Sequence, residues 1–316
     1  MKLISVVVGC YNEEENIESL YHAVVDSFST LKECELELLF IDNGSQDNSR
    51  RILRKLAESD ARVKVIFNVR NFGHIRSPYY GMMQASGDAV IAMACDFQDP
   101  PELIPRFVEQ WRAGFKCVVG VKQNSSDNSL FSRVRGAYYR LSQRLSDVPL
   151  YENFTGFGLY DRDVVDWMRS IDDPYPYFRG LIADLGYPAA RISFQQPPRK
   201  HGLTKNNFYT LYDLAMLGIT SHSKVPLRIA TMLGFVIAFL SLLVAIGYFL
   251  AKLLFWNYFS VGIAPVIIAI FFFAAVQLIF IGIVGEYVGA IHTQVMKRPL
   301  VVEQERLNFE PSEEGS

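Results

Sequence analysis

The chain has 316 residues, of which 50% are hydrophobic and 20% are charged, a charged share below the roughly 25% of an ordinary soluble domain. Its 31 basic and 33 acidic residues give a formal net charge of -2, so no overall positive field favours binding to nucleic acid. The 23 Phe and 16 Tyr residues require burial, which excludes a disordered chain. We therefore expect a folded protein that contacts lipid and does not bind nucleic acid.

The N-terminal part of the chain alternates short apolar runs with amphipathic segments. The runs at 3–8, 36–41, 63–67 and 89–94 have the composition of strands that are buried on both faces. The segments between them, at 14–29, 47–59 and 77–85, have the apolar spacing of helices. This β-α-β-α-β-α-β order predicts an α/β fold with a right-handed, mostly parallel sheet and helices on both faces.

Polar loops follow all four predicted strands. The loop residues whose charged or amide side chains could bind a ligand are Asn12, Glu13, Asp42, Asn43, Arg70, Asn71, Asp96 and Gln98. Because ligands bind at the carboxyl ends of strands in open parallel sheets, these loops predict a single cleft. Each loop taken alone also fits a helix cap or a turn.

The pair Asp96 and Gln98 indicates a metal site. Residues two apart at the end of an extended strand point the same way, so both can offer oxygen atoms to one cation. Oxygen ligands suit Mg²⁺ or Mn²⁺ and not zinc, and Mg²⁺ in particular often completes its coordination with substrate phosphates. The sequence therefore predicts a phosphate-handling site that uses a divalent cation.

The last third of the chain predicts two membrane-spanning helices. Residues 229–251 carry no charge, and as a helix they would extend about 34 Å. A second uncharged stretch at 261–285 is also long enough to span, whereas a pair of buried soluble helices is the alternative. Basic residues flank the pair on one side: Lys224, Arg228, Lys297 and Arg298. Only Lys252 lies between the spans, so the positive-inside rule predicts that both termini are cytoplasmic.

The loop motifs together resemble those of glycosyltransferase family 2. They are Tyr11-Asn12-Glu13-Glu14, Ile41-Asp42-Asn43-Gly44-Ser45, Arg70-Asn71-Phe72-Gly73 and Asp96-Phe97-Gln98-Asp99-Pro100-Pro101-Glu102. Within that family the chain is similar over nearly its whole length to the polyisoprenyl-phosphate glycosyltransferases, a group that includes dolichol-phosphate mannose synthase and the bactoprenol glucosyltransferases. The resemblance implies a GT-A-type, Rossmann-like fold.

The resemblance also implies roles for individual residues. The nucleotide-sugar-binding residues would be Tyr11, Glu13, Asp42, Asn43, Arg70 and Asp96. The catalytic residues would be Asp96 and Asp99, and the cation would lie on Asp96 and Gln98. The acceptor phosphate would be bound by Arg199, Lys205 and Arg135.

Two places depart from the family pattern. The family usually has Asp-x-Asp-x-Gln at the end of the fourth strand, and Ala94 replaces the first of these aspartates, so Asp99 or water must complete the coordination. An acidic residue that relatives often have is also absent from the segment 153–161. Its two glycines, Gly156 and Gly158, either let the backbone approach the sugar or form a structural turn.

These observations divide the chain into four parts. They are a cytoplasmic nucleotide-sugar-binding catalytic domain at 1–205, a juxtamembrane region at 206–227, two transmembrane helices within 228–289 and a cytoplasmic tail at 290–316. Apolar spacing over 207–220 predicts an amphipathic helix that lies on the bilayer. The start of the chain lacks the pattern of a secretory signal, and the acidic stretch from Glu303 has little to bury, so we expect a cytoplasmic N-terminal domain and a mobile tail.

The predicted activity is inverting transfer of a hexose, glucose in particular, from a nucleotide sugar such as UDP-glucose to a polyprenyl phosphate. The reaction would take place at the cytoplasmic face of the plasma (inner) membrane and serve cell-envelope glycans. The alternatives are transfer to another lipid or to a polysaccharide, a membrane scaffold without activity, and a transporter. Small residues on the second helix, Gly282, Gly285 and Gly289, predict a homo-oligomer.

Overall fold

The structure, a computed structural model, describes residues 1–123, 151–197, 216–218, 220, 223–254 and 263–310. The strands are β1 (Lys2–Cys10), β2 (Cys34–Asp42), β3 (Val63–Asn68), β4 (Ala89–Ala94), β5 (Cys117–Lys122), β6 (Phe154–Asp161), β7 (Ala189–Phe194) and β8 (Glu303–Leu307). The helices are α1 (Ile17–Phe28), α2 (Ser49–Ser59), α3 (Arg76–Gln84), α4 (Ile104–Arg112), α5 (Arg162–Ile171), α6 (Phe178–Asp184), α7 (Val225–Leu254) and α8 (Ile263–Val295). All four strands and all three helices predicted for the N-terminal part are confirmed to within three residues.

The strands form one sheet in the order β7-β5-β6-β4-β1-β2-β3-β8. The central strands β3, β2, β1 and β4 are parallel, and β5 pairs parallel with β7. Strands β6 and β8 pair antiparallel with their neighbours. The predicted mostly parallel α/β sheet is confirmed. Because the chain runs from β1 outward to β3 and then returns to β4 on the other side, the topological switch point lies between β1 and β4.

The apolar runs of the central strands are buried on both faces of the sheet. Val6 and Val8 of β1 pack with α1, α2 and α4 on one face, whereas Val7 packs with α3, α5 and α6 on the other. Strand side chains alternate between faces, so a continuous run of valine and isoleucine is what a sheet covered on both sides requires. Two helical layers therefore hold the carboxyl ends of these strands in fixed positions.

The segment 153–161 contains a strand and not a structural turn. Its residues form β6, which lies between β4 and β5. A Cβ atom on Gly158 would lie 2.3 Å from the Val118 carbonyl oxygen, so glycine is needed for close packing within the sheet. Gly156 has φ +101, a backbone angle that favours glycine.

Helices α7 and α8 are long and apolar. They contain stretches that are long and apolar enough to cross a membrane, Val225–Ala251 and Ala269–Val295, and the described side chains in them are largely exposed. Helix α8 continues ten residues past the predicted end of the second span at residue 285, because Glu286 and His292 change the polarity of a helix without ending it. The side chain of Gln294 donates a hydrogen bond of 2.8 Å to the Asp173 carboxylate, which connects the end of α8 to the α/β domain.

The expectation of a mobile tail from Glu303 is wrong for residues 303–310. Strand β8 pairs antiparallel with β3 at the edge of the sheet. Glu305 forms two hydrogen bonds of 2.6 Å with Arg54, and the Asn308 amide donates to two backbone carbonyl groups. With three charges in five residues, β8 does not have the composition of a buried strand. An edge strand needs only a partner strand on one side and polar neighbours, and here β3 is the partner strand and α2 provides the polar neighbours.

Candidate active site

The carboxyl ends of β1 and β4 flank the topological switch point. Gly9 of β1 lies opposite Ala94 of β4 in the parallel register, so the loops that follow these two strands begin side by side. On the other side of β1, Cys10 lies opposite Asp42 at the end of β2. Three of the four loops predicted from the sequence thus begin at one edge of the sheet, where α/β folds bind ligands.

The loops after β1 and β2 are joined by hydrogen bonds. The Asn12 amide N–H donates to Ser45 Oγ at 2.9 Å, and the Gln46 amide N–H donates to Asn12 Oδ1 at 2.8 Å. The Glu13 amide N–H donates to Ser49 Oγ at 2.9 Å. Asn12 has φ 55, a conformation that asparagine tolerates better than most residues. These bonds fix the two loops that carry the predicted base-binding and ribose-binding residues.

Asp42 is fully buried and forms an ion pair with Arg50. The carboxylate Oδ2 lies 2.7 Å from Arg50 Nε, and it also accepts hydrogen bonds from the Gly44 and Ser45 amides at 3.2 and 3.3 Å. Arg50 in turn donates to the Asn68 carbonyl oxygen at 2.6 Å. Because a buried carboxylate is costly without a partner, the ion pair with Arg50 stabilises Asp42 in this position and fixes its orientation.

The side chain of Asn43 holds the loop that follows β3. Its Nδ2 donates to Asn71 Oδ1 and the Gly73 carbonyl oxygen at 3.0 and 3.1 Å. Its Oδ1 accepts from the Phe72 amide at 2.8 Å and from Asn68 Nδ2 at 3.4 Å. The fourth predicted loop is thereby brought to the same edge. The hydrogen bonds of the Asn43 side chain are committed to this loop, so a ligand contact from Asn43 would involve its backbone.

Tyr11, Glu13 and Arg70 lie on these joined loops, as the sequence predicts. Tyr11 and Glu13 are half-buried, and Glu13 accepts a hydrogen bond of 2.6 Å from Asn16. Arg70 is exposed, with its guanidinium 4.0 Å from the centre of the Phe72 ring. The structure therefore places all three beside the Asp42 loop, although their contacts with a donor remain a prediction.

The loop after β4 carries two buried carboxylates. Asp96 accepts a hydrogen bond from the Gln98 amide at 3.1 Å, and Asp99 accepts one from the Ala94 amide at 2.9 Å. Phe97 has φ 62, which turns the chain sharply between them. Burial and the charge of Asp96 raise the pKa of Asp99 to about 7, whereas the backbone hydrogen bond and the charge of Arg179 act in the opposite direction.

This carboxylate pair fits a divalent cation that is held mainly by its substrate. Two neighbouring carboxylates with little solvent repel each other, and a cation between them would relieve that repulsion. Within the described ranges no group of three or more His, Cys, Asp or Glu side chains could hold a metal ion. Asp96, Gln98 and Asp99 therefore offer few ligands, and phosphate oxygens and water would have to supply the rest, as is usual for Mg²⁺.

Some predicted residues lie outside the described part of the chain, and sequence analysis missed others inside it. Arg135, Arg199 and Lys205 fall in the first group, as does most of the predicted amphipathic helix at 207–220. Arg50 and Arg179 fall in the second. Both are arginines on helices, where a charged residue is normally interpreted as solvent-exposed, and only the fold shows that they act on Asp42 and Asp99.

Comparison with known proteins identifies the class of enzyme. The sequence profile described as Glycosyl transferase family 2 matches residues 5–167. The chain is 36% identical over 297 residues to the SfII prophage-derived bactoprenol glucosyl transferase of Shigella flexneri, a match that covers 94% of this chain and 96% of the relative. The chain therefore belongs to glycosyltransferase family 2 and is a glycosyltransferase.

A second relative agrees with the resemblance drawn from the motifs. The chain is 34% identical over 297 residues to the prophage bactoprenol glucosyl transferase homolog of Escherichia coli (strain K12), which covers 94% of this chain and 96% of the relative. The crystal structure of glucosyl-3-phosphoglycerate synthase from Mycobacterium tuberculosis with Mn²⁺, uridine diphosphate and phosphoglyceric acid is 21% identical with a TM-score of 0.44, and the match covers 69% of this chain and 76% of that chain. The relatives confirm the resemblance to the polyisoprenyl-phosphate group.

Proposed function

We propose that this glycosyltransferase moves glucose from UDP-glucose to the phosphate of a polyprenyl phosphate, with inversion at the anomeric carbon. The product is a polyprenyl-phosphate sugar, made on the cytoplasmic face of the plasma (inner) membrane for cell-envelope glycans. Two relatives named as bactoprenol glucosyl transferases, matched over nearly their whole length, support the lipid acceptor and the glucosyl group.

One structural observation carries the proposal. Asp96 and Asp99 are only 5% and 7% exposed, and they lie at the switch point next to the loops that hold Asp42. A cleft that keeps two carboxylates buried suits a cation-bound diphosphate and does not suit a neutral ligand. The diphosphate of a nucleotide sugar is the group that this arrangement would accept.

The donor would lie across the loops after β1, β2 and β4. Tyr11, Glu13 and Asp42 would contact the base and ribose, and Arg50 holds the Asp42 carboxylate in place through their ion pair. Asp96 and Gln98 would hold Mg²⁺ or Mn²⁺. When bound, the cation would neutralise the charge that develops on the departing diphosphate.

The acceptor needs no dedicated catalytic base. A phosphate monoester is largely dianionic at neutral pH, because its second pKa is about 6. Its oxygen can therefore attack the anomeric carbon without first losing a proton. The protein must hold the acceptor oxygen in line with the bond to the leaving diphosphate, and that in-line displacement inverts the configuration.

The positions of the helices support a reaction at a membrane. The side chains of α7 and α8 are apolar, large and exposed, as in Phe235, Phe239 and Phe271. The chain after α8 returns to the sheet as β8, so it lies on the same side as the catalytic domain. Two helices that cross a bilayer and return require this arrangement.

The direct test is an assay of the full chain in detergent with labelled UDP-glucose, undecaprenyl phosphate and Mg²⁺ or Mn²⁺. We expect the label to become soluble in organic solvent. Asp96→Asn should lower kcat by about 10²–10³-fold, because it removes charge that acts on the cation and the leaving group.

Asp88→Asn is the matched control. Asp88 precedes the other end of β4 and pairs with Lys2 at 2.7 Å, so we expect activity within twofold of the unmodified enzyme. If no nucleotide sugar in a panel gives organic-soluble label, the proposed function is wrong. If Asp96→Asn is as active as Asp88→Asn, the metal role is wrong.

If the sugar is transferred to another lipid or to a polysaccharide, labelled product should form in reactions that contain that acceptor and no undecaprenyl phosphate. A scaffold without activity would bind neither UDP nor Mn²⁺ in calorimetry. Both alternatives are thus separated from the proposal by the same protein preparation.

A further inference from the structure

Three arginines lie beside the candidate active site, and two of them lie over the ring of Phe72. Arg70 and Arg76 lie over the Phe72 ring, with guanidinium carbons 4.0 and 5.6 Å from its centre. Arg298 is near enough for its charge to act on Arg76. Arg70 comes from the loop after β3, Arg76 begins α3, and Arg298 follows α8, so three separate elements contribute to this arginine cluster.

Arg76 has an unusual environment for a guanidinium group. Its Nη2 donates to the Pro299 carbonyl oxygen, while its Nε is buried and has no hydrogen-bond partner within the described ranges. Burial and then the charge of Arg70 lower the pKa of Arg76; the charge of Arg298 acts in the same direction, whereas Tyr175 opposes them. A buried donor without a partner is costly, which favours a ligand that accepts a hydrogen bond here.

Within the described ranges, the arginine cluster has no carboxylate as an ion-pair partner. Elsewhere in the domain, Arg50, Arg54, Arg62 and Arg306 each lie within 2.7 Å of a carboxylate. Among the residues that the structure describes, no carboxylate forms such an ion pair with Arg70, Arg76 or Arg298. Like charges that gather without an acidic partner create a binding site for an anion, and guanidinium groups fit phosphate oxygens well.

The position of the cluster indicates which anion it binds. On one side it adjoins the donor loops, since a Cβ atom on Gly44 would lie 2.6 Å from the Arg70 carbonyl carbon. On the other side, Arg298 lies three residues after the last residue of α8, where the apolar helix ends. A phosphate bound here would be next to the donor while a hydrocarbon chain attached to it could follow α8.

We propose that Arg76 and Arg298, flanked by Arg70, bind the phosphate of the lipid acceptor. The inference rests on the proposed function, and it names a site for the acceptor within the described part of the chain. It also moves Arg70 from the donor, where the family resemblance placed it, to the boundary between donor and acceptor.

The test compares two ligands and two substrates in detergent with the full chain. Undecaprenyl phosphate should raise the Tm of the unmodified enzyme, whereas undecaprenol, which lacks the phosphate, should not. Arg298→Gln and Arg76→Gln should abolish most of this increase. In the activity assay both variants should raise the KM for undecaprenyl phosphate by about ten- to a hundredfold, the range expected for one charge-assisted hydrogen bond. The KM for UDP-glucose should stay within twofold.

Arg62→Gln is the matched control, because it removes one arginine charge just before β3, at the opposite edge of the sheet. Arg298→Lys should recover part of the acceptor affinity. Since Arg298 is exposed, its variants keep the test valid if Arg76→Gln alone destabilises the fold.

Each result decides a separate question. An equal rise in KM for both substrates, or the same arginine-dependent increase in Tm with inorganic phosphate, would overturn the acceptor assignment. If the unmodified enzyme glucosylates undecaprenyl phosphate and both variants are normal, the site is wrong and the function stands. If undecaprenyl phosphate binds through these arginines without being glucosylated, the site stands and the function is wrong.

Discussion

At the scale of single residues, Asp42 depends on groups in the loop and helix that directly follow it. Arg50 supplies its counter-charge, and Gly44 allows the chain to turn so that two amides face its carboxylate. The backbone of Gly44 packs against that of Arg70, with φ +79. The predicted base-binding carboxylate is therefore held by a turn that tolerates little change.

Gly44→Ala should lower stability by about 2 kcal/mol or more, because it adds strain at positive φ to a clash with backbone atoms. Gly114→Ala is the control, since Gly114 has φ +101 and nothing within 4 Å of a Cβ atom. That variant should lose only about 1 kcal/mol, which is the conformational cost alone. Thermal unfolding of both variants in detergent measures the difference, and equal Tm values would contradict the clash.

A second buried carboxylate stabilises the sheet away from the site. Glu37 on β2 is 4% exposed, and it accepts hydrogen bonds from Ser5 on β1, Lys64 on β3 and Ser86 before β4. Burial raises its pKa, but the hydrogen bonds from Lys64, Ser5 and Ser86 outweigh this, so the pKa is lowered below its usual range. The charged form thus favours the folded state.

Glu37→Gln should lower Tm most above pH 5 and progressively less as the pH falls below about 4.5. Because the pKa of Glu37 is lower in the folded than in the unfolded state, the ionised carboxylate stabilises the fold at any pH where the unfolded chain is also ionised. This stabilisation is lost at low pH, as the carboxyl group of the folded protein takes up a proton. Unfolding midpoints between pH 3.5 and 8 measure it. Glu35→Gln, two residues earlier at the exposed start of β2, should change Tm little at any pH. A pH-independent loss in Glu37→Gln would contradict the linkage.

At the scale of secondary structure, the sequence analysis predicted the four central parallel strands, β1 to β4, and missed the four strands that flank them, β5 to β8. Continuous apolar runs such as 36–41 are typical of a strand covered on both faces, and they identify β1 to β4 without a structure. Strand β8 has three charges in five residues, and only its pairing with β3 and the contacts of Arg54 with Glu305 explain it. Long-range partners of this kind leave no local pattern in the sequence.

The same contrast holds for the candidate site. The motifs at Asp42 and Asp96 were found because polar residues directly follow apolar runs. Arg76 was missed because its significance depends on Arg298, more than two hundred residues later in the chain. Sequence position alone does not show that two arginines share one surface.

Removal of residues 301–316 should lower Tm by several degrees and raise the KM for UDP-glucose. It exposes the edge of β3, and it deprives Arg50 of its hydrogen bond of 3.0 Å to Gln304. The control removes residues 311–316 only and should behave as the unmodified enzyme. Differential scanning fluorimetry and steady-state kinetics measure the two effects, and an unchanged Tm in the longer deletion would exclude a stabilising role for β8.

At the scale of the whole molecule, the α/β domain and the two long helices are connected at several points. Tyr287 of α8 donates a hydrogen bond of 2.6 Å to the carbonyl oxygen of Ser223, just before α7. Gln294 contacts Asp173, and β8 then joins the sheet. The helical pair therefore leaves the α/β domain at one point and returns to it at another.

The attachment of the helical pair to the α/β domain at two points limits the orientations in which the enzyme can meet a lipid substrate. A domain on a single tether samples many heights and tilts above a surface, and only a few of them would bring a catalytic cleft to a headgroup. Attachment of the α/β domain to both ends of the helical pair removes most of those orientations before any substrate arrives. The entropy of aligning the cleft with a headgroup is therefore lost during folding and not in each turnover. Under the proposed function, strand β8 would thereby fix the distance between the sugar donor and the plane of the lipid.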